Sequence, residues 1–321
     1  MIEVSNLEKH YGSFKAVSGV SFTTGTGKVV GLLGPNGAGK TTIMKVLTGY
    51  HRASGGTAIL GGIDVSEDPV AVKSMVGYLA EGVPLYTDMT VGEYLNFIAE
   101  SRQLAPSSRA AAIAKACADC GLTGMDEVRI DHLSKGFRQR VGLAQAIVHD
   151  PAILILDEPT TGLDPNQILE IRSLIRSLGA NKTVILSTHI LQEVEALCSE
   201  LIIINEGQIV AQGTTADLAR NLQGEEWLNC RLLVPEAFKL SADEAAAQLQ
   251  ASGSITAVSE ALLEGRILKL KARAAAGSSD EAAVALFDWA AAKGCKLLEL
   301  RREALSLEQI FVKLTNEESA Q

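Results

Sequence analysis

The chain has 321 residues, of which 47% are hydrophobic and 21% charged, and a formal net charge of −9. That length allows two domains with well-buried cores, and the acidic balance argues against a nucleic-acid binder. No run approaches the ~18 apolar residues of a membrane span, and the start, MIEVSNLEKHYG, lacks the basic segment and apolar block of a signal peptide.

In chain order, the first informative element is a buried strand over Val29–Leu33, followed by a helix over Thr42–Leu47. Between them GPNGAGKTT matches the G-x-x-x-x-G-K-[ST] phosphate loop in full. The segment Gly34-Pro35-Asn36-Gly37-Ala38-Gly39 wraps backbone N–H groups around phosphate oxygens, and the helix start adds its positive dipole end. Lys40 supplies a point charge for the β- and γ-phosphates, and the Thr41 hydroxyl can reach Mg²⁺, with Thr42 next in line. An ordinary glycine turn would leave the Lys-Thr pair and the preceding strand as coincidence.

Cys117-x-x-Cys120 follows in an alanine-rich helical stretch. With no second pair and no histidine at zinc spacing, these two and Cys198, Cys230 and Cys295 read as structural thiols of a reducing compartment. Ser134 is a good helix N-cap, and Phe137, Val141, Ala144 and Val148 make one apolar helix face before Asp150-Pro151 ends the helix. A capped amphipathic helix explains these residues. A helix N-terminus with a hydroxyl and a glycine, Gly136, is also an anion site, and beside a complete phosphate loop it is surplus for a monomer.

Ile153–Leu156 are continuously apolar, as in a strand buried on both faces of a parallel sheet. Asp157 and Glu158 close it, at the end where ligands bind in open α/β sheets. One carboxylate there can organise Mg²⁺ and a second can polarise an attacking water. Alone, such a pair reads as a strand-end turn; the phosphate loop supplies the other reading. His189, in ILSTHI, ends another buried strand.

A second domain is expected from about Gln223-Gly224, after Ile209–Gly213 and a helix over Ala216–Asn221. Its pattern reads strand (Trp227–Val234), helix (Ala242–Gln250), strands (Ile255–Leu262, Arg266–Lys271), helix (Asp280–Lys293), strand (Lys296–Arg301) and a helix over 307–314. Leu268 and Leu270 alternate with Lys269 and Lys271, as a half-buried strand should. The β-α-β-β-α-β order suggests a ferredoxin-like α+β module spanning 226–314, with a frayed tail over 315–321. It carries no catalytic constellation; regulation, dimer support and simple stabilisation all remain open for it.

Over about its first two thirds, the chain resembles the nucleotide-binding subunit of an ATP-binding cassette (ABC) transporter. Gly34–Thr42 is similar to the family's phosphate loop, Leu133–Phe137 to its signature motif (usually LSGGQ), Ile153–Glu158 to the Walker B strand, and Gly162-Leu163-Asp164 to the D-loop. His189 resembles the switch histidine and Tyr11, in HYGSFKAV, the aromatic that stacks on adenine. The resemblance implies an α/β cassette over 1–222, a mixed sheet core with a helical subdomain at about 85–150, and hydrolysis of ATP with Mg²⁺. It also implies a head-to-tail pair in which Ser134 and Gly136 bind the γ-phosphate held by the other copy. Glu158 would polarise the water, His189 would hold the γ-phosphate side of the transition state, and closure and opening would drive a membrane partner.

Two departures stand out. Lys135 and Phe137 replace the usual Gly and Gln; Lys135 either adds charge near the γ-phosphate or points to water, as surface lysines usually do. Glu81, in VGYLAEG, replaces a glutamine that senses Mg²⁺ and contacts the membrane partner, and a carboxylate still reaches the ion through water. GYLAEGVPLYTDMTVGEYLNFIAE and LSKGFRQRVGLAQAIVHDP are similar to subunits serving gliding-motility and other ABC-2-type permeases. That places the protein at the cytoplasmic face of the cell membrane, with Met89-Thr90-Val91 and the Glu93, Tyr94, Phe97 helix meeting the permease; core packing is the other reading of those aromatics. A soluble ABC ATPase serving another macromolecular complex is the competing function, and a catalytically dead binding module a third. Intact Lys40, Thr41, Asp157, Glu158 and His189 oppose the last.

Overall fold

A computed structural model describes residues 1–214, 217–218, 227–251, 253–274, 278–303 and 311. The chain divides into two compact units, Met1–Thr215 and Ala216–Gln321. The boundary expected near 223–224, most of the helix expected over 216–221, the helix over 307–314 apart from Phe311, and the tail lie outside the described residues.

The first unit carries two sheets. One is antiparallel, built from β1 (Ile2–Tyr11), β2 (Phe14–Thr24), β4 (Gly55–Leu60) and β5 (Ile63–Asp64) in the order β2-β1-β4-β5. The other holds β3 (Val29–Leu33), β6 (Val76–Leu79), β7 (Ile153–Asp157), β8 (Thr183–Thr188), β9 (Glu200–Asn205) and β10 (Gln208–Gly213) in the order β10-β9-β3-β8-β7-β6. Its strands run parallel except for β10, which pairs antiparallel with β9 at the edge. Every residue of β7 and β8 is buried, which is why Ile153–Leu156 and Val184–Leu186 are apolar without alternation.

Alternate residues of β7 nevertheless serve different cores, because successive side chains leave a strand on opposite faces. Ile153 and Ile155 join Val30, Leu32, Ile202 and Ile204 with α1 (Lys40–Leu47) and the antiparallel sheet. Leu154 and Leu156 join the helices of the other face: α3 (Val91–Ser101), α4 (Pro106–Asp119), α5 (Lys135–Ile147) and α6 (Pro165–Gly179). Truncating Leu156 to alanine should cost ~2–5 kcal/mol. The helix starts are locally encoded. Thr90 and Glu93 form a reciprocal capping box at α3, Pro106 opens α4, and Asp164 with Gln167 caps α6. Two short helices, α2 (Pro69–Met75) and α7 (Leu191–Leu197), complete the unit. Cys117 and Cys120 are buried free thiols of the helical core, and burial pushes the Cys120 thiol up to about 12.

The second unit runs β11 (Trp227–Leu233), α8 (Ala242–Gln250), β12 (Ile255–Glu264), β13 (Ile267–Ala274), α9 (Ser279–Ala292) and β14 (Lys296–Glu303). Its sheet has the order β12-β13-β11-β14, antiparallel throughout. Leu228, Cys230 and Leu232 of β11 and Leu268, Leu270 and Ala272 of β13 face Ala245 and Leu249 of α8 and Leu286 and Ala290 of α9.

Candidate nucleotide site

The strand order β3-β8-β7-β6 brings four sequence-distant segments to one edge. At their C-terminal ends stand the phosphate loop, His189, the Asp157-Glu158 pair and Glu81. A cavity of about 530 Å³ lies there, lined by Asn36, Gly37 and Lys40–Thr42 of the loop and by Glu81, Glu158 and His189, with Tyr11 and Phe14 at its outer end.

Helix α1 begins at Lys40, two residues earlier than the sequence pattern predicted. Gly39 is its N-cap at φ +106, where a side chain would press a Cβ to 2.6 Å from the Ala16 carbonyl oxygen. Glycine therefore lets the helix start against the β1–β2 hairpin. This N-cap provides no side-chain hydrogen bond to the first N–H groups of α1, so donors and positive dipole end are offered to an anion. Lys40 is buried, and its Nζ donates to the Gly34 and Pro35 carbonyls at 2.8 and 3.1 Å, 3.8 Å from Glu158 Oε1. Burial pushes its pKa below the ordinary lysine value, against the opposing pull of Glu158, Asp157 and Glu81.

The Asp157 carboxylate is half satisfied. Oδ1 accepts from Thr41 Oγ1 at 3.2 Å and from Ser187 Oγ at 2.5 Å, whereas Oδ2 is buried with no hydrogen-bond partner among the described residues. A buried acceptor without a partner is costly. A divalent cation beside Thr41 and Asp157 would remove that cost, and hydroxyl and carboxylate oxygens are the donors Mg²⁺ prefers, so these residues fit the ion. Glu81 is exposed in the turn after β6 and shares the cavity wall.

Glu158 adopts φ +50, which L side chains seldom occupy. Its N–H donates to Ser187 Oγ at 2.9 Å, Thr161 Oγ1 donates to its Oε2 at 3.0 Å, and His189 Nδ1 lies 2.9 Å from the same oxygen. The unusual backbone turns a buried carboxylate toward the cavity and against the histidine, an arrangement suited to holding a water for in-line attack.

Ser134 and Gly136 are elsewhere. Ser134 caps α5, accepting from the Phe137 N–H at 3.3 Å, and is exposed; neither residue lines the phosphate cavity among the described residues. A Cβ on Gly136 would lie 2.6 Å from the Gln167 side chain, so glycine allows α5 to meet the start of α6 closely. Lys135 is exposed, and its Nζ lies over Gly162. Phe137 is half-buried, with Arg140 over its ring at 5.8 Å, while Val141, Ala144 and Val148 are buried as expected. Tyr11 is 44% exposed, its ring edge-on to His51 at 5.7 Å. Tyr94 is buried, and Phe97 is 43% exposed.

Three polar partners of the site were not foreseen. Ser187 holds both acids, Gln139 of α5 donates to the Pro159 carbonyl at 2.6 Å, and Glu193 of α7 is buried and accepts from Thr188, the residue before His189. Each acts through a tertiary contact, and only the run Ser187-Thr188-His189 carries a local signal.

A phosphate loop at the end of one parallel strand, with a half-satisfied aspartate and a cavity-facing glutamate at the end of another, defines a phosphate-loop nucleotide hydrolase. A family model described as ABC transporter matches residues 17–161. The linearmycin resistance ATP-binding protein LnrL of Bacillus subtilis (strain 168) is 31% identical over 319 residues, 98% of this chain and 98% of that protein. The Nod factor export ATP-binding protein I of Burkholderia orbicola (strain AU 1054) is 40% identical over 215 residues, 66% of this chain and 70% of that one. Among solved structures, an ATP-binding subunit of an ABC transporter matches with a TM-score of 0.63 and 29% identity, covering 69% of this chain and 92% of its own. A dimeric ATP-binding cassette bound to ADP and Pi shares the fold, at a TM-score of 0.61 and 20% identity over 67% of this chain and 98% of its own. The chain belongs to the ATP-binding subunits of ABC transporters, and its activity is ATP hydrolysis. No helix among the described residues is long and apolar enough to cross a membrane.

Proposed function

We propose that this chain is the motor of an exporter, working as a head-to-tail pair coupled to a separate ABC-2-type permease at the cytoplasmic face of the cell membrane. The observation that carries the pairing is the separation of Ser134 and Gly136 from the chain's own phosphate cavity. They sit at the start of α5, where the Ser134 hydroxyl is exposed and the Gly136 backbone is buried against Gln167. The dimeric state of the cassette that shares this fold supports the same reading.

In that pair, Tyr11 stacks on adenine, and Gly34–Thr42 wrap the phosphates. Lys40 leaves its loop carbonyls for the β- and γ-phosphate oxygens, and Ser134 and Gly136 of the second copy close over the γ-phosphate. Thr41, Asp157 and Glu81 would hold Mg²⁺, which when bound neutralises charge on the phosphate oxygens. Glu158 accepts hydrogen bonding from the attacking water and takes its proton as the new P–O bond forms, and the bond to the β-phosphate oxygen breaks. His189 keeps Glu158 oriented and meets the γ-phosphate side.

Export is favoured by two relatives, a linearmycin resistance protein and a Nod factor export protein; the gliding-motility reading rests on sequence pattern alone. The permease reading is supported by Tyr86 and Phe97, 53% and 43% exposed with ring centroids 5.5 Å apart, just beyond Glu81. Exposed aromatic pairs of this kind mark contact surfaces. The cassette is taken as 1–222 and the accessory domain as 226–314, which we read as ferredoxin-like from its strand order.

Glu158→Gln tests the catalytic core. Turnover should fall ~10²–10⁴-fold while ATP binding is kept, and ATP should shift the variant toward a dimer on sizing. Wild-type turnover would refute the assignment.

A further inference from the structure

One deeply buried carboxylate near the site touches no nucleotide-facing group. Glu193, in the first turn of α7, is 1% exposed. Both of its oxygens accept from buried threonines: Thr160 Oγ1 donates to Oε1, and Thr188 Oγ1 donates to Oε2 at 2.7 Å. Arg172 of α6 lies 4.0 Å away. Burying a carboxylate is expensive even when it is hydrogen-bonded, and a leucine would fill the same space more cheaply. The gain must lie in what the carboxylate ties together.

Thr160 stands two residues after Glu158, and Thr188 immediately precedes His189. The Glu158 backbone, at φ +50, must be held from outside, and its neighbours supply three anchors. Ser187 accepts its N–H, Gln139 donates to the Pro159 carbonyl, and Thr160 is fixed to Glu193. On the other strand, Thr188 Oγ1 donates to Glu193 and accepts the Ile190 N–H at 3.0 Å, which fixes the backbone on both sides of His189. One side chain therefore ties the segments that carry Glu158 and His189, whose side chains meet at 2.9 Å.

We infer that Glu193 is a positioning residue that clamps the ends of β7 and β8 and sets Glu158 against His189. This rests on Glu158 and His189 being the catalytic pair. Misplacing a reacting group by about 1 Å costs ~10²-fold in rate, so loosening the clamp is expected to cost at least about tenfold.

The test uses the full-length chain, with kcat and the KM for ATP measured for Glu193→Gln, Thr160→Val and the double variant; the first two preserve volume, the amide leaving one acceptor oxygen for two threonine hydroxyls and Thr160→Val removing one of those hydroxyls. Glu193→Gln should lower kcat at least about tenfold with KM unchanged within about twofold. Thr160→Val should act in the same direction, and the double variant should fall no further than the weaker single, because both loosen the same clamp. An unchanged kcat for Glu193→Gln, a rise in KM matching the loss, or losses that multiply would overturn the inference. Should Glu193→Gln fail to fold, Thr160→Val and Thr188→Val carry the same comparison, and unchanged kcat in both overturns it. Glu158→Gln is the control. If it turns over like wild type, the catalytic reading fails; if it is inactive while Glu193→Gln is not, only the clamp fails.

Discussion

The first unit presents two helix N-termini suited to phosphate, and they are built in opposite ways. At α1 the start is enclosed: Lys40 is buried, two carboxylates stand beside it, and no side chain caps the helix. At α5 the start is open: Ser134 is exposed and caps its own helix through a 3.3 Å bond to Phe137. The enclosed end has its charges and strain assembled in one chain, so it can bind and orient ATP alone. The open end has a hydroxyl engaged in a long bond that it can give up, and its Ser134 and Gly136 stay out of the phosphate cavity of their own chain. The contrast separates holding the nucleotide from completing the site around it.

The largest effect expected from this contrast comes from the open end. Ser134→Arg should leave ATP binding intact yet cut turnover ~10²-fold, the loss typical when donors to a developing charge are removed; an equal loss of ATP affinity would show that Ser134 serves its own chain's nucleotide. At the enclosed end, Asp157→Asn should weaken the Mg²⁺ requirement's midpoint at least ~10-fold, read from turnover against Mg²⁺ concentration, since the amide leaves Oδ2's role unfilled. Tyr11→Ala removes base stacking worth ~1–3 kcal/mol and should appear as a raised KM for ATP with little change in kcat. Glu81→Gln should give the smallest effect, a shift of roughly two- to tenfold in Mg²⁺ dependence, and superimposable curves would remove Glu81 from the metal site.

The enclosed end was legible because its parts are contiguous. Gly34–Thr42 is one loop, and Asp157 and Glu158 close one apolar run, so local pattern carries both. The polar supports were not legible. Ser187 of β8 reaches the acids, while Gln139 of α5 and Glu193 of α7 reach Pro159 and Thr160 just after them, and each looks like an ordinary strand or helix residue until the sheet order brings those elements together. The antiparallel sheet was hidden for a different reason. β1 carries Asn6 at φ +46 and several register shifts against β2, which break the alternation that marks a strand. In the second unit, Leu268, Leu270, Ala272 and Ala274 keep strict alternation along β13, and the strand was readable from it.

The shared site is tested most directly by mixing two impaired variants, Lys40→Ala and Ser134→Arg. In a head-to-tail pair one of the two composite sites then has an intact phosphate loop from one copy and an intact serine–glycine turn from the other. Turnover of the mixture should exceed that of either variant alone. A mixture no more active than its components would contradict the account and return Ser134 and Gly136 to a purely structural role.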